Sequence, residues 1–218
     1  MNAIYNIFIL IFFLILGITL TNHPIQIVKV HENDTANSKK IIDKIGDNAN
    51  ASFYNIDLNK IKTEVEKISW IYKVNVEKTW PNKLDVKIIE HSPVAVWNSS
   101  WALSKTGDVF YIEKKLDKNY PTIDAKINNN YVKDIFLLIN NFFNEKYIQI
   151  SSVNFVSQSL IQIEIEKGPI IKVDQSNAKK DLEKFFANFE KIFSTNNPFN
   201  LIKIIDLRYQ FGIAIEYN

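Results

Sequence analysis

Cysteine is absent from this chain of 218 residues. Disulfides, thiolate metal sites and a cysteine nucleophile are therefore excluded, and the lack of thiols is compatible with an oxidising compartment. Glycine is scarce, at five residues. They build neither a phosphate-cradling loop nor a G-x-S-x-G elbow. The three histidines, His23, His31 and His91, show no metal-ligand spacing, and His31-Glu32 lacks a second histidine four residues on. Charge of one sign is also missing. The 26 Lys and Arg against 24 Asp and Glu leave +2, spread along the chain, so nothing forms a nucleic-acid footprint. Solvated surface positions are the ordinary place for the carboxylates. No catalytic residue, cofactor, metal or small-molecule substrate is expected.

What is present begins with an apolar run. From Ile4 to Leu20, thirteen residues are Leu, Ile or Phe, which favours insertion at the centre of a bilayer by about −4 to −8 kcal/mol. That outweighs Asn6 near the edge. The run is at the short end of what spans a membrane. A cleaved signal peptide is the alternative, but no Lys or Arg precedes the run and no A-x-A-like site follows it. An uncleaved anchor over residues 4–20, after a stub at 1–3, is the reading adopted. The positive-inside rule is nearly silent, because the first basic residue is Lys29.

Residues 24–91 read as a small αβ module in the order strand, helix, helix, strand, strand. Ile25 to Val30 alternates as a first strand. Ser38 can cap a short helix carrying Ile41, Ile42 and Ile45, with Gly46 as its end. Asp57 can cap a second, whose Leu58, Ile61, Val65 and Ile68 share one face. Val74 and Val76 alternate with Asn75 and Glu77, and Leu84, Val86 and Ile88 with Asp85 and Lys87. Trp80-Pro81-Asn82-Lys83 supplies the turn between them. Ile61, Val65, Val76, Val86 and Ile88 are the expected core.

Residues 92–218 read as a mostly β domain with two helices. Ala102 to Tyr111 predicts a strand pair turning at Thr106-Gly107-Asp108. Asn130 opens a helix carrying Val132, Ile135, Leu138, Ile139 and Phe142. Leu160 to Glu166 alternates strictly, and Gly168-Pro169 turns it toward Ile171 and Val173. A second helix carries Leu182, Phe185, Phe186, Phe189, Ile192 and Phe193. Then Ile205, Leu207, Tyr209, Phe211, Ile213, Ile215 and Tyr217 occupy every second position. This predicts one long strand with a break at Gly212. No later strand is available to cover it, so one edge stands open unless an earlier strand or the αβ module shields it. An open edge can accept a partner's strand, and small residues at Gly212 and Ala214 would let it lie close. If Tyr209, Phe211 and Tyr217 face the partner they are its anchors. If they face the core, Arg208 and Glu216 become the contacts.

The ordered set of these features resembles the FtsQ/DivIB family of bacterial cell-division proteins and its POTRA domain. Trp70-Ile71, Val74, Val76, Trp80-Pro81, Leu84-Asp85-Val86, Glu90, Pro93-Val94-Ala95 and Trp97 carry the first part of the likeness. Gly107-Asp108-Val109-Phe110 and Asp206-Leu207-Arg208-Tyr209 with Gly212 carry the second. Tyr217 departs from the Trp of many relatives, and residues 116–156 match only in pattern. The POTRA signature positions are Trp70, Trp80, Pro81, Glu90 and Pro93. Glu90 reads as an exposed strand-end carboxylate, and only through the resemblance as part of an interaction surface. The resemblance implies an α+β, non-enzymatic, single-pass inner-membrane protein, N-terminus cytoplasmic and bulk periplasmic, acting at the division septum. It implies FtsB and FtsL as partners, docking at Arg208, Tyr209, Phe211, Gly212, Ala214, Glu216 and Tyr217. Other division proteins could reach the POTRA domain, and membrane lipid meets the anchor. An envelope-biogenesis POTRA protein is the alternative. An outer-membrane transporter of that kind needs a long barrel, for which the chain has no room. A cell-wall hydrolase would need a nucleophile or metal constellation.

Overall fold

A run of Leu, Ile and Phe, uninterrupted from Ile7 to Leu16 and free of proline, makes most of the first helix, α1 (Asn2–Thr21). The structure is a computed structural model describing residues 2–21, 25, 27–31, 35–49, 53–113, 116, 118–126, 130–193 and 199–218. Met1, at the head of the expected stub, and His23 lie outside the described residues. Side chains of α1 are described over residues 4–17, where Ile4, Phe8, Phe12 and Leu14 are all exposed. A helix apolar on every side offers no face to water. Among the described residues, no helix is long and apolar enough to cross a membrane.

The chain divides into two compact units, Met1–His91 and Ser92–Asn218. After α1, the first unit holds β1 (Ile27–His31), α2 (Thr35–Ala49), α3 (Leu58–Glu66), β2 (Ile71–Thr79) and β3 (Lys83–Glu90). The sheet order is β1-β3-β2, with β1 parallel to β3 and β2 antiparallel to it. Parallel neighbours need a crossover, and α2 with α3 supply it. Asp57 caps α3, its carboxylate accepting the N–H groups of Asn59 at 2.9 Å and Lys60 at 3.1 Å. Ile41 and Ile45 on α2, Ile61 and Val65 on α3, and Leu84 and Val86 on β3 are fully buried. The four-residue spacing puts each helix pair on one face, and the two-residue spacing does the same on the strand.

Two expectations for this unit change. Val76 and Ile88 are only half-buried, while Leu84, Val74, Ile68 and Trp70 are in the core. The helix expected from Ser38 to Gly46 starts at Thr35 and runs past Gly46. A Cβ at Gly46 would meet nothing. Glycine in an open helical position costs about 1 kcal/mol but does not by itself end the helix.

The second unit holds β4 (Pro93–Trp97), β5 (Trp101–Ser104), β6 (Val109–Tyr111), β7 (Thr122–Asp124), α4 (Asn130–Glu145), β8 (Ile150–Ser157), β9 (Leu160–Ile165), β10 (Ile170–Val173), α5 (Ala178–Ala187), α6 (Phe189–Ile192), β11 (Ile202–Asp206) and β12 (Ala214–Tyr217). Its strands form one sheet in the order β12-β11-β10-β9-β8-β7-β4-β5-β6. Three neighbouring pairs are parallel, β4 with β7, β7 with β8 and β10 with β11; the last two are bridged by α4 and by α5 with α6. Helix and sheet close over Ile123, Phe136, Ile139, Phe143, Ile163 and Phe185, all essentially inaccessible.

The "two helices" become three because the second breaks at Asn188. There the side-chain Nδ2 donates to the carbonyl of Lys184 at 2.8 Å, and the backbone N–H donates to that of Phe185 at 3.1 Å. A short amide that competes for backbone groups turns a helix aside.

The larger correction is at the end of the chain. The long strand expected from Ile205 to Tyr217 is a hairpin: β11 stops at Asp206, residues 207–213 turn, and β12 returns antiparallel. Ile205 opposes Ile215 and Asp206 opposes Ala214. Opposed positions share parity here, so the alternation continues through the turn and imitates one strand.

Candidate partner-docking edge

β12 is the last strand of the sheet, paired only with β11. Its outward groups follow from the ladder. The N–H of Leu207 donates to the carbonyl of Lys172 on β10 at 2.8 Å, so odd-numbered residues of β11 bond toward β10. Even-numbered ones bond toward β12. On β12, Ala214 and Glu216 therefore complete the pairing with β11, and the N–H and C=O of Ile215 point to the open side. The side chain of Ile215 packs on the core beneath the sheet.

The turn before β12 carries exposed aromatics. Phe211 is 94% exposed, Tyr209 60% and, on the strand, Tyr217 54%. A Cβ on Gly212 would meet nothing, and Ala214 is exposed. One parity thus does two jobs: Ile205, Leu207 and Ile215 go to the core, whereas Tyr209, Phe211 and Tyr217 go to solvent.

Two other expected contacts are engaged within the chain. Glu216 accepts from the ammonium of Lys203 at 2.7 Å across the hairpin. Arg208 folds back on Asp206, donating from Nε at 2.8 Å and Nη2 at 2.6 Å, while its backbone N–H donates to the same carboxylate at 3.1 Å. Asp206, outside the expected contact set, joins the site through the D-x-R spacing to Arg208. Its carboxylate is nearly buried, and the Arg208 guanidinium holds its pKa below the usual 3.8, against the opposing effect of burial. This clasp sets the direction in which the turn leaves β11.

A group with a depressed pKa stabilises the fold above its ordinary pKa, and loses that contribution as pH falls through the lowered value. Asp206→Asn should therefore cost about 1–2 kcal/mol at pH 7, discounted because Arg208 is partly exposed. The gap between variant and wild type should close on acidification to well below pH 3.8. Urea melts at both pH values check this; a gap that persists in acid would show that the charge is not its source.

The POTRA signature positions have different surroundings. Trp70 is buried just ahead of β2, Trp80 is exposed beside Pro81 in the β2–β3 turn, and Glu90 ends β3. Pro93 opens β4, in the second unit, opposite Ser104.

A β-α-α-β-β unit followed by a broad sheet whose edges are β12 and β6 is the architecture of a POTRA-bearing protein. A family model described as "POTRA domain, FtsQ-type" matches residues 23–91, and one described as "Cell division protein FtsQ/DivIB, C-terminal" matches residues 95–208. The chain belongs to the FtsQ/DivIB family of cell-division proteins. Among its relatives, each named "Cell division protein FtsQ", that of Aliivibrio fischeri is 24% identical over 88% of this chain and 73% of its own. That of Blochmanniella floridana is 27% identical over 76% and 64%, and that of Haemophilus influenzae 26% over 75% and 65%. The match to the C-terminal model stops at Arg208, so Tyr209 to Tyr217 rest on geometry alone.

Proposed function

We propose that this chain is a single-pass inner-membrane protein of the division septum that acts by binding, without catalysis. In this reading residues 1–3 are cytoplasmic, 4–20 span the bilayer, and a POTRA domain (24–91) and β domain (92–218) lie in the periplasm. The composition of the run supports the anchor: thirteen of the residues from Ile4 to Leu20 are Leu, Ile or Phe. FtsB is the partner proposed for the β12 edge, with FtsL bound alongside it. The observation that carries this is the outward backbone of Ile215, flanked by exposed Tyr209, Phe211 and Tyr217. Backbone pairing would give affinity and the aromatics selectivity. The POTRA surface around Trp80 is left for further division proteins.

The test separates backbone from side chain. Ile215→Ala removes part of the core packing but keeps the N–H; Ile215→Pro removes the N–H as well. Proline is tolerated on an edge strand where its nitrogen faces solvent. With the full chain in detergent and the FtsL–FtsB complex of the same organism as ligand, the alanine variant should bind nearly as wild type. The proline variant should lose about tenfold or more. Equal binding by both would rule out strand addition at this edge.

A further inference from the structure

Asn140 is the one polar side chain among the buried residues of α4, which are otherwise Val132, Ile135, Phe136, Ile139 and Phe143. It is only 8% exposed. The amide is not sealed in. It lines a cleft of about 520 Å³ within the second unit, with Tyr120, Asn144, Gln149, Ser151 and Glu166. That volume is in the range of small-ligand sites. Asn144 follows Asn140 by four residues, which puts both amides on one face of α4.

We propose that this cleft binds a neutral sugar unit. The choice follows from the lining. Among its described residues there is no Lys, Arg or His, so an anion would enter without a counter-charge. The single carboxylate, Glu166, is exposed, too weak a draw to select a cation. Carboxamides and hydroxyls both donate and accept, which suits adjacent ligand hydroxyls that do the same. Tyr120 and Ile150 add apolar surface for the C–H face of a ring. This site is independent of the β12 edge.

The proposal makes Asn140→Leu and Asn144→Ala lose the ligand while the fold is kept, a combination that a purely structural role would not give. The full chain is held in lauryldimethylamine oxide, a detergent without a sugar headgroup, and titrated with N,N′-diacetylchitobiose and with cellobiose up to about 10 mM. Binding of at least one disaccharide is expected, weakened about tenfold or more by Asn140→Leu and by the surface change Asn144→Ala. The melting temperature of Asn144→Ala, a change at an exposed position, should stay close to that of wild type. Should Asn140→Leu fail to fold, Asn144→Ala alone decides. Silence with both disaccharides overturns the proposal, as does undiminished binding by Asn144→Ala. Preferential binding of a trilysine peptide over either sugar overturns it in favour of a cation site.

Discussion

Phe143→Ala is expected to remove about 3–5 kcal/mol from the stability of the second unit, the range for deleting a buried phenylalanine. Phe143 is fully buried on α4. Its ring meets Phe142 edge-on at 5.3 Å and Phe186 at 5.8 Å, and through them the cluster of Phe185, Phe189, Phe193 and Phe199. The carbonyl of Phe143 also accepts the N–H of Ile148 at 2.9 Å where the chain leaves α4 for β8. The cavity would open where three helical segments converge, so collapse can fill little of it. A domain holds about 5–15 kcal/mol in all, so this change takes a large share. Urea unfolding of the full chain, followed by near-ultraviolet dichroism, checks it, with Phe211→Ala as the surface comparison. A loss under about 1 kcal/mol would mean that the cluster is not what holds α4 to α5.

Elements with one strong period were legible in the sequence. Leu160 to Ile165 alternates against both its neighbours, and β9 lies in the middle of the sheet, where alternation has a buried face to report. The stripe on α3 and the Asp57 cap were readable for the same reason, since local spacing and local hydrogen bonding settle them. Where two arrangements share a period, the sequence does not choose between them. The hairpin of β11 and β12 keeps the parity of one long strand, and only the Asp206–Arg208 clasp marks where the chain turns. The helix through Phe185 and Phe193 keeps its apolar stripe across the break, and only Asn188 interrupts it. Asn140 was invisible for another reason. An asparagine inside an apolar helix looks like a surface position until packing shows it nearly inaccessible.

The same ambiguity decides what the candidate edge can do. Alternation alone allowed Phe211 to be either core or contact. A single continuous strand would have sent it to the face of Ile205 and Ile215, beneath the sheet. By ending β11 at Asp206, the clasp releases residues 208–213 from that face. The aromatics of the turn then stand in water, where a monomer gains nothing from them. An exposed aromatic cluster beside an unpaired strand edge is the arrangement that partner binding uses, since aromatics are enriched where interfaces are buried.

Phe211→Ala should therefore leave the melting temperature essentially unchanged, within about 0.5 kcal/mol in stability, because a side chain 94% exposed has little packing to lose. Binding of the FtsL–FtsB complex should fall by about 2 kcal/mol, roughly thirtyfold. Tyr217→Ala should behave alike, at smaller cost. Leu207→Ala, two residues before Tyr209 on the chain's core-facing parity and only 5% exposed, should give the reverse pattern, with stability lost through a cavity. The opposition between neighbours of one parity is the discriminating feature, and it needs both measurements on each variant. Gly212→Glu adds an independent check. Nothing lies within 4 Å of the new Cβ, so the fold should tolerate it, while a charge placed between the aromatics and β12 should obstruct an apolar partner. Full affinity in both Phe211→Ala and Gly212→Glu would remove this turn from the interface and leave only the backbone of β12 as a contact.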